Sequence, residues 1–464
     1  MQLSNEEEDY NLSLSKFESM LKTNKVLFFD SEEFEEIILH YLDIGKANLA
    51  KKALKLALDQ HPKSTGLKLV QVEMLVYDDK LDIAEKLLNE LYAIEPNNEE
   101  IYIQKANICS KRDQHEKAVE LLKIALQYTD DYADVYNLIG MEYLFMDNLE
   151  LAKESFIKCL EEDLEDQSAL YNVVYCFEFL DQNQEAIVYL NEYINRNPYS
   201  EIAWHQLGRL HYGVKEYENA IRAFDYATLI DDEFLGAFME KAKAYERLKK
   251  YNEAIESYNR TIELDDATSY ALLRIGKCYE KLGNLAKAIQ YYNQTVHEDP
   301  LLDKGWIAIT DFHLRQKNYQ KALFFVNKAL AIDNQNRLYW KRYATINKQM
   351  NFFEEAEFGF RKAVEFGDYA LDTWLFWVDI LQFLGEFETA IQTLLQATEY
   401  FPEENEIEYR LAGLYFMIQD NTKAKFHLSN GLRLNFDNYI LIEDLFPVVW
   451  AKKTVKNYIE KHRK

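Results

Sequence analysis

An all-α solenoid of about twelve stacked helix–turn–helix units, closed by helical caps, is the fold this 464-residue sequence predicts. Three observations lead there. Alanine recurs every 34 residues, twelve times in succession, from Ala50 to Ala424. Within each 34-residue window the apolar residues follow helical spacing in two separate segments. The chain holds only 6 prolines and 14 glycines, little material for hairpins or long linkers.

The repeat shows in two stretches, YENAIRAFDYATLID from Tyr217 and YNEAIESYNRTIELD from Tyr251. Twelve gapless windows fit, the first starting at Ser31 and the last at Asn405. Position 20 is always alanine: Ala50, Ala84, Ala118, Ala152, Ala186, Ala220, Ala254, Ala288, Ala322, Ala356, Ala390 and Ala424. Position 24 is large and apolar or aromatic, as in Leu54, Phe156, Phe224, Tyr258, Tyr292 and Phe360. Position 27 is small in ten windows, position 4 is aromatic in eight, and position 32 holds five of the six prolines.

Each preference has a physical reading. Apolar residues at 4, 7, 8 and 11 predict a first helix, and those at 20, 24 and 27 a second. Turn-like stretches such as MDNLE, LGNLA and QDNTK lie between them. Small residues at 8 (Gly140, Gly208 and Gly276 among them), 20 and 27 let paired helices approach closely, while rings from 4 and 24 fill the space between. Proline at 32 stops the second helix. One such pair cannot bury its apolar faces alone, so neighbours must stack.

Trp204, Leu207, Gly208, Ala220, Phe224 and Ala227 together resemble the signature of the tetratricopeptide repeat, TPR. The resemblance covers residues 31–438. It implies a right-handed α–α superhelix, first helices lining its concave face, and service as a protein-binding scaffold. Residues 1–30 are expected to form an N-terminal capping helix and 439–464 a C-terminal one. The basic tail (Lys452, Lys453, Lys456, Lys461, Arg463, Lys464) suits a helix C-terminus, and also an acidic partner or lipid.

Composition narrows the function. A net charge of −26 argues against a general nucleic-acid binder. Cys109, Cys159, Cys176 and Cys278 form no CxxC pair and no metal spacing, as expected of reduced thiols in a cytoplasmic protein. MQLSNEEEDYNLSLSK carries acids where a signal peptide needs Lys or Arg, and no apolar run reaches the roughly 18 residues of a membrane helix. HExxH, GxSxG, Walker and dinucleotide motifs are all missing. No enzyme, metal or cofactor is expected. His211 and His313 fall at position 11, where tyrosine stands in other windows, and read as core substitutes with one satisfied nitrogen.

The informative surface is the first-helix face at positions 2, 5, 6, 9, 12 and 13. In windows one to five it carries eight acids (Glu32, Glu35, Glu36, Asp43, Glu73, Glu100, Asp134, Glu178) against one base, Lys111. In windows six to ten it carries eleven bases: Arg209, Lys243, Arg247, Arg274, Lys277, Lys281, Lys304, Arg315, Lys341, Arg342 and Lys348. Four acids accompany them, Glu240, Glu246, Glu280 and Asp311, so the face swings from −7 to +7. Lys and Arg are good helix formers that pair with Glu at i+3 and i+4. Against that, a like-charged groove repels itself unless an anion occupies it. Beside it, Tyr171, Asn172, Tyr175, Phe179, His205 and Tyr212 offer stacking and amide hydrogen bonds, or shield the seam between helices.

Some TPR modules hold a C-terminal carboxylate with a fixed Lys/Asn/Arg set. Asn107, Asn172, Arg274, Lys304, Lys341 and Arg342 occupy matching or neighbouring slots here, but no three successive windows reproduce it. The expectation is therefore a scaffold that captures an acidic or aromatic-bearing protein segment on its basic face. An architectural subunit using its convex or end surfaces is the alternative. RNA binding is disfavoured by the surrounding acid.

Overall fold

The computed structural model describes residues 13–22, 27–264 and 268–463. These are helical throughout, without a strand among the described residues. Twelve helix pairs follow one another in the 34-residue register. Second helices begin at Ala47, Leu81, His115, Leu149, Asn183, Tyr217, Tyr251, Leu285, Tyr319, Phe353, Phe387 and Asn421, always position 17. The pairs divide into two compact units, residues 1–232 and 233–464. Unit one stacks repeats one to six, and unit two stacks repeats seven to twelve before a C-terminal segment.

All twelve position-20 alanines are completely buried. What stands across from them is volume-matched. Where position 24 is a ring, position 8 is Gly or Ala: Gly140 with Phe156, Gly208 with Phe224, Ala242 with Tyr258, Gly276 with Tyr292, Ala344 with Phe360. Where position 8 is branched (Ile38, Val72, Val174, Thr310, Val378), position 24 is Leu or Val. The contact leaves no slack. A Cβ on Gly140 would stand 2.6 Å from Phe156 Cε1, and one on Gly276 would stand 2.6 Å from Tyr292 Cδ1.

The turn inside each repeat is equally regular. Position 15 has a left-handed backbone in all twelve repeats, with φ of 55° to 81°. Only three of these residues are glycine (Gly45, Gly283, Gly385); the rest include Asp79, Asp147, Lys215, Lys249 and Lys317. The following N–H then reaches back to the carbonyl five residues earlier, as Asn148 does to Tyr143 at 2.9 Å. This is the Schellman closure of the first helix, and it consumes carbonyls that would otherwise be orphaned. Between repeats, rings at position 4 donate to the carbonyl at position 32: Tyr102 to Pro96, Trp204 to Pro198, Trp306 to Pro300, Trp340 to Asn334, at 2.8–3.0 Å.

In unit one, residues 13–22 are helical, and Phe17 and Met20 pack with Phe29, Phe34, Ile38 and Tyr41 against the first repeat. The remainder of the capping helix expected over residues 1–30 lies partly outside the described residues, at 1–12 and 23–26. In unit two the chain after repeat twelve is a 3-10 turn, Phe436–Tyr439, and three short helices rather than one: Ile440–Leu445, Pro447–Trp450 and Lys453–Lys461. Pro447 starts a helix and so breaks the run. The ring of Phe446 fills the space over Gly413, and Val455 and Ile459 are buried.

Candidate binding face on the first helices

Position 5 corrects the expected face. Leu69, Ile103, Leu273, Ile307, Leu375 and Tyr409 are buried there, and so is His205, whose ring packs 5.8 Å from Phe224. The open face is therefore narrower, built on positions 2, 6, 9, 12 and 13, with position 5 still open at Tyr171 and Lys341.

Along it, arginines meet acids from the neighbouring repeat. In unit two, Arg274 grips Glu246 with two hydrogen bonds of 2.9 and 2.7 Å, and the Tyr258 hydroxyl donates to the same carboxylate at 2.7 Å. One repeat on, Arg315 donates to Glu280, which also accepts from Tyr292 at 2.9 Å. Arg342 is bidentate on Asp311, at 2.7 and 3.1 Å. Lys341 reaches Asp372 at 2.8 Å and Lys348 reaches Asp379 at 3.9 Å. Arg247 is also engaged. In unit one, Arg209 stands 3.7 Å from Glu178. Charge-assisted pairs of this geometry tie repeat to repeat. The cationic face is thus partly self-neutralised.

Four lysines of unit two remain. Lys243, Lys277, Lys281 and Lys304 form no ion pair with an acid among the described residues; Lys243 lies 5.9 Å from the Tyr270 ring centroid. Lys243 and Lys277 share position 9 on successive first helices. Lys281 and Lys304 are exposed, and Lys277 is half-buried one turn from Arg274. Burial pushes the Lys277 ammonium below its usual range, with Arg274 and Lys304 repelling it further.

Two members of this network were not singled out from sequence. Asp372 and Asp379 stand in repeat eleven, beyond the basic stretch, and Asp379 pairs with Arg410, a guanidinium only 6% exposed. The periodic register was the available signal: position 9 of one repeat faces position 6 of the next, in Asp311–Arg342 and again in Asp379–Arg410.

In unit one, Tyr171 and Tyr175 are solvent-exposed, while Asn172 is half-buried with its amide 3.8 Å from Met141 Sδ. His211 has the expected satisfied nitrogen, Nδ1 lying 2.8 Å from Glu216 Oε2. His313 instead stacks on Phe325 at 5.5 Å, and burial, then Lys321, holds its pKa below the usual imidazole value. All four cysteines are free, and burial pushes Cys176 up to about 11 and Cys278 up to about 12. Among the described residues no His, Cys, Asp and Glu side chains cluster as metal ligands would, and no helix is long and apolar enough to cross a membrane.

Stacked helix pairs in a fixed register, with an open polar first-helix face, define a helical-repeat scaffold for protein interaction. Three models described as tetratricopeptide repeat match residues 205–267 and 239–302, 75–141, and 133–166. The chain is a tetratricopeptide repeat protein of twelve tandem repeats. Anaphase-promoting complex subunit 3 of Schizosaccharomyces pombe is 24% identical over 157 residues, 34% of this chain and 24% of the relative. The match thus spans about a quarter of that relative's length. Among solved structures, a TPR protein fragment of Cytophaga hutchinsonii is similar over 52% of this chain and 99% of its own, at 16% identity and a TM-score of 0.43. The Cut9–Hcn1 hetero-tetramer of the anaphase-promoting complex is similar over 100% of this chain and 95% of its own, at 12% identity and a TM-score of 0.35.

Proposed function

We propose that the chain is a non-enzymatic cytoplasmic scaffold whose second unit captures an acidic protein segment on the first helices of repeats seven to nine. One observation carries this reading. Lys243, Lys277, Lys281 and Lys304 have no acidic partner among the described residues, while the arginines and lysines around them do. The arginine–acid pairs hold the helices in register, and the lysines supply the attraction. Side chains that already have partners contribute less to a ligand than those whose charge is unanswered. Four free, buried or half-buried thiols suit a reducing compartment.

The test is calorimetric titration of a Glu-rich peptide carrying Tyr into the full chain at low and at raised salt. Binding that weakens with salt, and is lost in Lys243→Glu/Lys277→Glu/Lys281→Glu/Lys304→Glu, supports the reading. Equal affinity for wild type and variant refutes it. A second reading, an architectural subunit of a larger assembly, is favoured by the fission-yeast relative, which is named as a subunit of a complex.

A further inference from the structure

Unit one carries a face of the opposite sign. Residues 1–232 hold 22 of the 53 basic and 46 of the 79 acidic side chains, a net −24; residues 233–464 hold the other 31 and 33, a net −2. Nearly all the net charge of the chain sits on one unit.

On that unit the first helices of repeats four and five, Tyr132–Phe145 and Gln167–Phe179, present four large rings to solvent. Phe145 is 59% exposed, Phe179 66%, Tyr171 42% and Tyr175 43%. Phe145 and Phe179 hold position 13 on successive helices, and the Tyr175 ring lies 4.4 Å from Phe179. The approach of Asn172 to Met141 brings the two helices side by side. Phe145 also stacks on His115 at 5.3 Å, and Phe156, Val173, Val174 and Leu190 fill the core beneath, so all four rings stay outside it. A contiguous exposed apolar patch marks an interaction surface more often than isolated exposed side chains do.

The net charge of the unit selects the occupant. Asp134 and Glu100 stand at position 2 of repeats four and three, and neither pairs with a base among the described residues. Burial raises both carboxyl pKa values, and repulsion from neighbouring acids adds to it. Gln104, 4% exposed, donates to Glu100 at 2.8 Å and leaves its own Oε1 without a donor. In unit one Arg209 answers Glu178 at 3.7 Å, but Glu100 and Asp134 have no base against them among the described residues. The faces of Tyr and Phe rings attract cations. Nucleic acid and anionic lipid share the sign of the unit and are repelled.

We propose that the ring-bearing first-helix face of repeats four and five docks a basic protein segment, with Lys or Arg side chains set among apolar ones. The cations lie over Tyr171 and Tyr175 and toward the acids, and the apolar side chains cover Phe145 and Phe179. This site differs in partner and in unit from the lysine face, and does not depend on it.

The probe is a fluorescein-labelled peptide in which Lys alternates with Leu and Ala, titrated into the full chain by anisotropy beside its Lys→Glu counterpart. The Lys peptide binds and the Glu peptide does not. Tyr171→Ser/Tyr175→Ser/Phe179→Ser weakens binding at least about tenfold with circular dichroism unchanged, as loss of central aromatic anchors does. The volume-conserving Glu100→Gln/Asp134→Asn weakens it too, most at low salt. Lys243→Glu/Lys277→Glu leaves it unweakened. Equal affinity for the ring variant would reveal diffuse charge attraction only, and absence of binding to wild type would leave no site; either overturns the proposal.

Discussion

Exchanging the volumes at positions 8 and 24 of repeat four tests the packing rule on which the stack rests. Gly140→Val places branched atoms where a single Cβ would already be 2.6–2.8 Å from three atoms of the Phe156 ring. Phe156 is wholly buried and cannot swing out, so overpacking costs about 1–3 kcal/mol. The better helix propensity of Val over Gly returns only a few tenths, ~0.4 kcal/mol. Phe156→Leu alone leaves a void, costing on the order of 1–2 kcal/mol. Together the two changes recreate the Val–Leu pair of Val72 with Leu88 and Val174 with Leu190. The double variant should therefore lie within about 1 kcal/mol of wild type, a coupling of roughly 2 kcal/mol between residues in contact. Long repeat arrays break two-state cooperativity, so the assay is amide hydrogen exchange read on repeat-four peptides, not a global melt. Additive costs, with coupling below about 0.5 kcal/mol, would refute the rule.

Three further outcomes follow from the same geometry. Glu246→Ala strips the acceptor from both Arg274 and Tyr258 and should loosen repeats seven and eight by about 1–3 kcal/mol by local exchange, while Lys277→Met leaves them as stable or more so; equal losses would contradict the division between paired arginines and unanswered lysines. Lys215→Gly, Lys249→Gly and Lys317→Gly relieve a left-handed backbone and should each stabilise by about 0.5 kcal/mol, whereas Glu154→Gly in mid-helix costs ~1 kcal/mol; a loss in all four would mean position 15 carries no strain. The raised pKa of Glu100 means the folded state binds its proton more tightly than the unfolded state. That group's contribution therefore improves as pH falls through the raised value toward 4.5, and Glu100→Gln should stabilise repeat three at pH 7 and lose its advantage near pH 4; an advantage independent of pH would contradict the sign.

The fold was legible because its determinants are periodic and local. One alanine every 34 residues, rings and small residues in register, and prolines at 32 specify helix pairs without knowledge of any distant contact. The left-handed residue at position 15 was hidden because Asp, Lys and Gln occupy it more often than glycine, so the geometry is imposed by the closing hydrogen bond and not announced by residue type. The face was half legible. Counting charges found the cations and some of the acids but not their pairing, which runs between neighbouring repeats: Arg274 with Glu246 of the repeat before, Lys341 with Asp372 of the repeat after. A count made within windows six to ten also stopped short of repeat eleven, where Asp372 and Asp379 lie. Position 5 read as open from helical phase alone, because the phase of one helix does not show what packs against it, as Phe224 does against His205.

Site-specific photo-crosslinking tests most directly whether the lysine face is where a partner sits. A benzophenone side chain is placed at Lys281 on a first helix of unit two, and in a parallel protein at Lys328 on a second helix, 5.5 Å from the Phe324 ring centroid. Each is irradiated with the Glu-rich peptide and the adducts are mapped by mass spectrometry at two salt concentrations. The account predicts adducts from position 281 that fade as salt rises, and none from 328. Adducts from 328 alone, or from 281 with no dependence on salt, would place recognition on the outer surface or on apolar contact and contradict it.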